Sequence, residues 1–495
     1  MQKENSEQYK ERMEALREDQ GVQKGQKLRN PVDAWPAELV FFGRVTNMLK
    51  GLCSRLDVAH PYLNTMANAA RQTLREAVPI DDRADRLIHS SADTIDTPLQ
   101  RRLIDAVHQL QDQDEMVGLQ VCVLSQGKEL ANIAGGVLGT ANPRPVTPST
   151  LFCVFSVSKA LLSIGMLRLV QEKRIALDDP VVHYWPAFAE NGKNEVTIRH
   201  VLTHQAGLAN ALPDDASLDV LLDWERMKGV IEKAIPDHKP GERTMYHYLT
   251  YAWICGGIIE QVTGAPYEDY LSNILKVPLR NLDNNLFLAG IPKDANPEAL
   301  AVLSMERRQE SKGAAQTADS SSNKAPGKAE EGKKVLQKYR GREQLMNPSV
   351  FNMRRVREAK LPSANGHASA AALATVFDSL LQAKSPLLED TILEAARHHN
   401  MQVSPLDEAL LLDNSGASFG LGFQLHEFDM EGGIKATAFG HSGIGGSIVL
   451  SLPEANLTVA IVTNRLSQNS KVRQTLLDIV LDDFGLEVPQ SLQGS

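Results

Sequence analysis

The amino-acid sequence predicts an α+β fold in which one antiparallel sheet is covered by helices. Two observations carry this prediction: apolar strand-like runs occur near residues 118–139 and again near 440–466, and helical patterns occupy the chain between them. Because strands stand at both ends, we expect the N-terminal and C-terminal strands to pair. The 495 residues, 42% hydrophobic and 23% charged, are ordinary for a soluble globular protein of one large domain or several smaller ones.

Turn residues mark the strand pairs. Residues 118–139 read GLQVCVLSQGKELANIAGGVLG, which predicts two strands around a tight turn at Gln126–Gly127. Residues 440–466 read GHSGIGGSIVLSLPEANLTVAIVTNRL, which predicts strands on both sides of a turn at Pro453–Asn456.

Helices are predicted between and after these strands. The apolar run that follows Ser156 predicts one helix, and residues 197–208, TIRHVLTHQAGL, predict a short helix that ends at Gly207 as its C-cap. Residues 251–275 predict a long helical region interrupted at Gly264–Pro266, and a last helix is expected over about 470–484.

Three segments differ in composition from the compact domain, which we place at 99–490. Residues 1–34 are charged and predict a solvated N-terminal extension, whereas residues 35–98 carry apolar side chains at helical spacing and predict a helical segment. Residues 306–343 are rich in Ser, Ala, Gly, Lys and Glu. They predict a disordered insertion, because so few apolar groups cannot offset the entropy of ordering.

Charge and cysteine usage narrow the partners and the compartment. A formal net charge of −9 gives no electrostatic reason to expect nucleic acid or an anionic membrane as partner. The four cysteines are scattered without a CxxC pair, which argues against a disulfide framework or a metal site and fits a reducing compartment. The polar N-terminus and the absence of an apolar run of roughly 20 residues predict a soluble intracellular protein without a transmembrane segment. Cytoplasm, plastid and mitochondrion are all compatible with these features of the sequence.

The strongest chemical signal is Ser156-Val157-Ser158-Lys159 at the start of an apolar helix. The i, i+3 spacing places Ser156 and Lys159 on one helix face. Burial lowers the pKa of a lysine, and a neutral amine beside a hydroxyl is a base beside a nucleophile. A helix N-terminus also offers free backbone N–H groups to developing negative charge. From these residues alone an alternative stays open, in which Ser156 caps the helix and Lys159 extends into solvent.

Three further motifs follow in order. They are LTHQAGL at 202–208, MYHYLTYAWICGGIIEQVTG at 245–264 and GHSGIGGS at 440–447. Together with FSVSK at 155–159, they make residues 99–490 resemble the serine β-lactamase and penicillin-binding-protein superfamily, closest to its class C and esterase branch. The resemblance implies a β-lactamase/transpeptidase-like fold, with a central antiparallel sheet flanked by helices plus a mainly helical domain. It also implies no cofactor.

The resemblance assigns catalytic roles to individual residues. Ser156 takes the place of the acylated nucleophile, Lys159 that of its base and Tyr246 that of an acid/base tyrosine. His441 stands where the family's Lys-Thr-Gly motif begins, and it would assist the tyrosine or bind a substrate carboxylate. Taken alone, Tyr246 is better explained as a core aromatic residue and His441 as a strand-edge residue, and only the ordered combination of motifs favours a site. His204 in LTHQAGL is expected to pack behind the site.

Substrate-binding positions follow from the same resemblance. The backbone N–H groups of Ser156 and Ile444 would form an oxyanion hole. Ser442 and Gly443 would line the substrate, with Gly443 permitting close backbone approach. Tyr248 stands where most members have Asn, and its bulk reshapes the acyl pocket and argues against β-lactam hydrolysis.

A second resemblance concerns the N-terminal helical segment. Residues 33–70, DAWPAELVFFGRVTNMLKGLCSRLDVAHPYLNTMANAA, look like the C-terminal tail of ABC1-type atypical kinases. Residues 136–146 and 246–258 resemble the hydrolase part of plant and algal proteins in which such a kinase is fused to a β-lactamase-like domain. This resemblance implies that the chain corresponds to the C-terminal part of such a fusion and does not bind ATP. It also implies that the chain associates with partners through its N-terminal helices.

Two functions are therefore predicted. The first is a serine hydrolase that cleaves a small-molecule or peptide-like amide or ester through an acyl-enzyme on Ser156. The second is a catalytically silent β-lactamase-fold domain that acts as a scaffold. Tyr248 and the missing kinase lobe motivate this alternative.

Overall fold

The computed structural model describes residues 87–493 except 91–96, 141, 214–215, 281–285, 288–289, 294, 297–298, 306–347, 399–400, 403–417 and 468–470. The predicted N-terminal extension at 1–34, most of the predicted helical segment at 35–98 and the predicted disordered insertion at 306–343 lie outside the described residues.

The described chain contains eleven α-helices and fifteen strands. The helices are α1 Pro98–Asp112, α2 Val157–Gln171, α3 Ile198–Leu202, α4 Leu218–Leu222, α5 Trp224–Lys233, α6 Thr250–Thr263, α7 Tyr267–Leu275, α8 Arg354–Arg357, α9 Ala370–Ser379, α10 Asp390–His398 and α11 Lys471–Asp483. The strands are β1 Ile88–Ser90, β2 Gly118–Ser125, β3 Lys128–Gly139, β4 Asn142–Pro145, β5 Phe152–Cys153, β6 Leu286–Phe287, β7 Ser304–Met305, β8 His367–Ala368, β9 Met401–Gln402, β10 Ser418–Phe419, β11 Gln424–Met430, β12 Ile434–Ser442, β13 Ile448–Leu452, β14 Leu457–Thr463 and β15 Arg465–Leu466.

The main sheet is antiparallel and joins the two ends of the domain. Its order is β1-β3-β2-β14-β13-β12-β11-β10-β9, with β4 added beside β3. The N-terminal and C-terminal parts of the sheet meet where β2 pairs with β14, in the register Leu457↔Ser125 to Thr463↔Leu119. The predicted pairing of N-terminal and C-terminal strands within an α+β fold is confirmed.

Helices cover both faces of this sheet. Because strand side chains alternate between faces, Val121 and Val123 join one apolar cluster while Cys122 and Leu124 join the other. The first cluster includes residues of α1 and α11, so the two terminal helices cover that face. The second includes residues of α2, α6 and α9, which places the mainly helical part of the domain on the opposite face.

Helix α2 occupies the centre of the second cluster. Twelve of its fifteen residues are buried, including Lys159. A helix that is apolar all round is buried on every side rather than on one stripe. The described helices include none that is both long and apolar enough to span a membrane.

Predicted boundaries hold where a local signal specifies them. The β2–β3 turn has positive φ at Gln126 (53°) and Gly127 (75°), and Asn456 at the β13–β14 turn has φ 49°. Gly264 ends α6 with φ 70° and an N–H bond to the Glu260 carbonyl. These turns and the predicted break between α6 and α7 are confirmed.

Two boundaries differ from the prediction. Helix α3 ends at Leu202, five residues before Gly207, because the chain turns at His204, whose φ is 59°. The C-cap at Gly207 is therefore wrong. In addition, Ile88–Ser90 pairs with β3 as an edge strand, so the sheet begins ahead of residue 99.

Candidate active site

Ser156 lies at the turn that begins α2. It occupies the N-cap position with helical φ and ψ of −66° and −12°, and its side chain makes no capping hydrogen bond. The preceding residue, Phe155, has φ 47°, a left-handed conformation that is uncommon for a residue with a side chain. Its ring packs edge-on against Phe351 at 5.1 Å between centroids. Strained backbone of this kind is concentrated at functional sites.

Lys159 points inward and not to solvent. It is 1% exposed, and its Nζ lies 3.2 Å from Ser156 Oγ and 2.9 Å from the Ser363 carbonyl, to which it donates. The backbone N–H of Ala252 in α6 donates to the Ser363 hydroxyl, which holds this segment against the helix. Burial lowers the pKa of the Lys159 ammonium well below its usual value. The alternative in which Lys159 extends into solvent is wrong.

Tyr246 approaches the same hydroxyl from the loop ahead of α6. Its ring centroid lies 4.9 Å from Lys159 Nζ. Burial raises the pKa of its phenol, and interaction with the Ser156 hydroxyl partly opposes that shift. The buried Tyr246 hydroxyl has no hydrogen-bond partner with ordinary geometry in the described part of the chain. Tyr246 is therefore a neutral phenol beside the nucleophile.

Two buried histidines hold the Tyr246 loop in place. The ring of His204 packs on that of Tyr246 at 4.8 Å, and its Nδ1 accepts from the backbone N–H of His247. His247 Nε2 accepts from the Leu208 N–H, so its Nδ1 carries the proton and donates to the Met245 carbonyl. Burial lowers the pKa of His247 to about 4, which keeps this ring neutral. His204 thus packs behind the site as expected.

His441 reaches the site from the end of β12. Its ring centroid lies 6.1 Å from that of Tyr246. Nδ1 lies 2.7 Å from the Ser442 carbonyl, which can only accept, so Nδ1 carries a proton. Nε2 is buried without a partner among the described residues. Burial lowers the pKa of His441 to about 3.

The end of β12 lies against the segment that leads to Ser156. A Cβ on Gly443 would lie 2.4 Å from the Val154 carbonyl oxygen, so only glycine permits this approach. The Gly443 N–H donates to the Ser447 carbonyl and closes the loop that carries Ile444. Within the described part of the chain, no acceptor is bonded to the Ser156 or the Ile444 N–H. Both amides are available to an oxyanion.

Of two other predicted substrate-binding residues, Tyr248 borders the site and Ser442 is bonded to a neighbouring strand. The ring of Tyr248 is half-buried, and its centroid lies 5.5 Å from Lys159 Nζ, so it borders the site. The hydroxyl and the backbone N–H of Ser442 both donate to Gln424 Oε1 in β11, each at 2.7 Å. The Ser442 side chain therefore braces the strand edge from the side and is not brought to Ser156.

Sequence reasoning missed three residues that shape the site. Ser363 supplies its carbonyl to Lys159, and any residue could do so, hence no local signal exists. The left-handed conformation of Phe155 likewise has no sequence marker, since glycine is the usual residue there. Gln424 was detectable, because it is a polar residue inside the apolar run LGFQL and is 1% exposed.

The arrangement places an amine and a phenol at the Ser156 hydroxyl, and the Ser156 and Ile444 N–H groups have no acceptor among the described residues. A neutral amine can accept the Ser156 proton, a neutral phenol lies beside it, and two backbone N–H groups can stabilise an oxyanion. Together with the antiparallel sheet and its helical layers, this defines a serine-nucleophile protein of the β-lactamase/transpeptidase-like fold. The chain belongs to the beta-lactamase family, whose family model matches residues 103–482.

Relatives of known name agree with this assignment. The esterase/beta-lactamase LipL of Mycobacterium tuberculosis is 30% identical over 353 residues, which span 70% of this chain and 74% of that protein. A penicillin-binding-protein homologue from Caulobacter crescentus has a similar solved structure, with a TM-score of 0.62, 24% identity, and coverage of 80% of this chain and 99% of that one. The structure of a family VIII carboxylesterase matches with a TM-score of 0.63, 20% identity, and coverage of 79% and 100%.

Proposed function

We propose that this chain is a serine hydrolase that cleaves a small-molecule or peptide-like ester or amide through an acyl-enzyme on Ser156. The observation that carries the proposal is the contact of 3.2 Å between Lys159 Nζ and Ser156 Oγ, with the amine 1% exposed. A serine hydroxyl at its free pKa is a poor nucleophile, and a buried neutral amine is the base that it needs. The relative named esterase/beta-lactamase supports the same chemistry.

Acylation proceeds by one proton transfer and one addition. Lys159 takes the Ser156 proton and becomes an ammonium as Oγ bonds to the substrate carbonyl carbon. The carbonyl oxygen becomes an oxyanion between the Ser156 and Ile444 N–H groups. The carbon–oxygen or carbon–nitrogen bond then breaks, and the leaving group receives the proton from Lys159 through the Tyr246 hydroxyl.

Deacylation reverses these roles with water as the nucleophile. Water gives its proton to Lys159, directly or through Tyr246, and its oxygen bonds to the acyl carbon. Collapse of the second oxyanion returns the proton to Ser156 Oγ. A positioned general base contributes about 10²–10⁴-fold to such steps, and loss of one oxyanion donor costs about 10²–10³-fold.

Covalent labelling tests the proposal. A fluorophosphonate probe should add one mass equivalent to the intact protein, and digestion should place the adduct on Ser156. Ser156→Ala should remove the adduct. Ser379→Ala should keep it, because the buried Ser379 hydroxyl donates to the Val376 carbonyl in α9, away from the site. An equal adduct on Ser156→Ala would refute the assignment, and no adduct on the intact protein would favour the scaffold function.

A further part of the proposal concerns residues 35–98. Their resemblance to the tail of ABC1-type kinases supports the view that the chain corresponds to the hydrolase part of a kinase–hydrolase fusion and associates through this segment. Sedimentation of the full chain and of a chain that starts at residue 79 tests the association, because the described domain lies within Pro79–Ser495. If the two chains sediment identically after correction for mass, the proposed association through this segment is refuted.

The scattered cysteines support an intracellular location, and cell fractionation would distinguish cytoplasm from plastid and mitochondrion.

A further inference from the structure

The groups that converge on Ser156 are buried, and burial disfavours the charged form of each of them. The Lys159 amine is fully enclosed, with the Ser363 carbonyl and the Ser156 hydroxyl as its polar neighbours. Tyr246 is a buried phenol, and His441 is buried at 1% exposure. This differs from the second role that the sequence predicts for His441, since a carboxylate needs a cation or a hydrogen-bond donor beside it.

The hydrogen bonding of His441 determines what its ring can offer. A carbonyl oxygen accepts and never donates, so the contact of 2.7 Å to Ser442 fixes the proton of the neutral ring on Nδ1. Nε2 therefore presents a lone pair to the site. A lone pair attracts an N–H or O–H group and repels a carboxylate oxygen.

The three buried arginines of the described residues lie on other elements than those that carry the site. Arg357 donates to the carbonyls of Phe351 and Ala301. Arg397 is engaged with Glu454 and the Thr437 carbonyl. Arg473, the charge beside the loop of Gly446, belongs to α11 and therefore to the helical layer on the other face of the sheet.

We infer that the site takes esters or amides whose part beside His441 is uncharged, and that it rejects substrates carrying a carboxylate there. This inference rests on the proposed hydrolase function and names its substrate class. The physical reason is that a carboxylate would leave water for a buried site in which His441 presents a lone pair and Tyr246 an uncharged phenol. An unpaired buried charge is strongly disfavoured, because it loses its hydration without gaining a partner. An uncharged amide or ester loses far less on entering the same site.

Matched substrates test the inference on the full chain. On the alcohol side we would compare 4-carbamoylphenyl butyrate with 4-carboxyphenyl butyrate, and on the acyl side phenyl 4-carbamoylbenzoate with phenyl 4-carboxybenzoate. Each pair has nearly the same size and differs in charge. Dividing each kcat/KM by the rate constant for hydroxide hydrolysis removes the intrinsic difference in reactivity.

The carbamoyl member should be preferred at least tenfold in at least one of the two pairs. A preference below tenfold in both pairs, or a preference for the carboxylate in either pair, overturns the inference. Fluorophosphonate labelling of the same preparation separates the two proposals. If Ser156 is not labelled and neither pair is hydrolysed, the hydrolase function fails, whereas labelled protein without charge preference removes the substrate class alone.

Two substitutions at His441 report the cause of the preference. His441→Lys places an ammonium at the strand edge and should shift the carbamoyl-to-carboxyl ratio toward the carboxylate at least tenfold. His441→Gln keeps the position uncharged and should leave the ratio within about threefold of the unsubstituted protein. A His441→Lys ratio that does not move contradicts the assignment to His441. If that variant does not fold by circular dichroism, the ratio in the unsubstituted protein decides.

Discussion

Replacing Lys159 by methionine tests the central electrostatic claim, that this amine is neutral in the folded protein. Burial lowers its folded pKa, whereas an unfolded lysine titrates near 10.4. Between these two values unfolding takes up one proton. Stability is therefore lost as the pH falls through this window and is regained as the pH rises. Lys159→Met removes the titrating amine, so unfolding of this variant no longer takes up that proton.

The expected size follows from proton linkage. One proton taken up on unfolding changes the free energy of unfolding by about 1.4 kcal/mol per pH unit. As the pH rises, the free energy of unfolding of the unsubstituted protein should increase by this amount per pH unit relative to that of Lys159→Met. The absolute difference at one pH also contains the loss of the bonds to Ser363 and Ser156, each worth about 1 kcal/mol net. The difference in slope is free of that contribution.

Urea unfolding at pH 7, 8 and 9 measures the two slopes. Lys435→Met is the matched control, because Lys435 is exposed and its ion pair with Asp429 raises its pKa, so it keeps its proton in both states across this range. Its slope should equal that of the unsubstituted protein. Parallel lines for Lys159→Met and the unsubstituted protein would mean that the buried lysine is charged, and the proposed general base would be lost.

Three further outcomes are expected. Gly443→Ala should lower kcat/KM on an uncharged ester at least tenfold, because its Cβ would lie 2.4 Å from the Val154 carbonyl. Gly229→Ala is the control, because a Cβ on this residue of α5 would have no atom within 4 Å. It should leave kcat/KM unchanged and stabilise the helix by about 1 kcal/mol. An equal loss of kcat/KM in both variants would contradict the reasoning. Lys193→Met should destabilise the fold by about 3 kcal/mol or more in urea while Ser156 labelling persists, because it leaves three backbone carbonyls without their donor. Finally, the pH profile of kcat/KM should show no acid limb from His441 between pH 8 and 5, because its pKa is about 3 and the ring stays neutral; a limb in this range that His441→Gln abolishes would refute its neutrality.

Strands, turns and helix breaks were predictable where residues adjacent in the chain determine them. Gln126–Gly127 and Asn456 adopt positive φ within their own turns, and Gly264 ends α6 by a bond to a carbonyl four residues earlier. Such signals depend on local sterics and on the alternation of side chains. The end of α3 was missed because Gly207 is the better local signal, while packing of the His204 ring against Tyr246 and Phe419 favours a turn three residues earlier.

The sequence predicted which residues to expect at the candidate site but not how they are arranged there. Four motifs in order predicted Ser156, Lys159, Tyr246 and His441 through their resemblance to a known family, and the structure brings these residues together. Whether Lys159 is buried or solvated could not be read from a helix start, since both arrangements satisfy the same spacing. The partner that decides it, the Ser363 carbonyl, lies 204 positions along the chain.

The amino-acid sequence by itself determined the sheet-and-helix order and the pairing of the terminal strands, and it indicated which side chains to expect at the candidate site. Only the tertiary structure decided that the amine is enclosed, that His441 keeps its proton on Nδ1, and that Gln424 holds Ser442 to the side. The physical reason is range. Periodicity and turn chemistry act over a few residues, whereas protonation and orientation depend on desolvation and on carbonyl and amide groups that folding brings from distant parts of the chain.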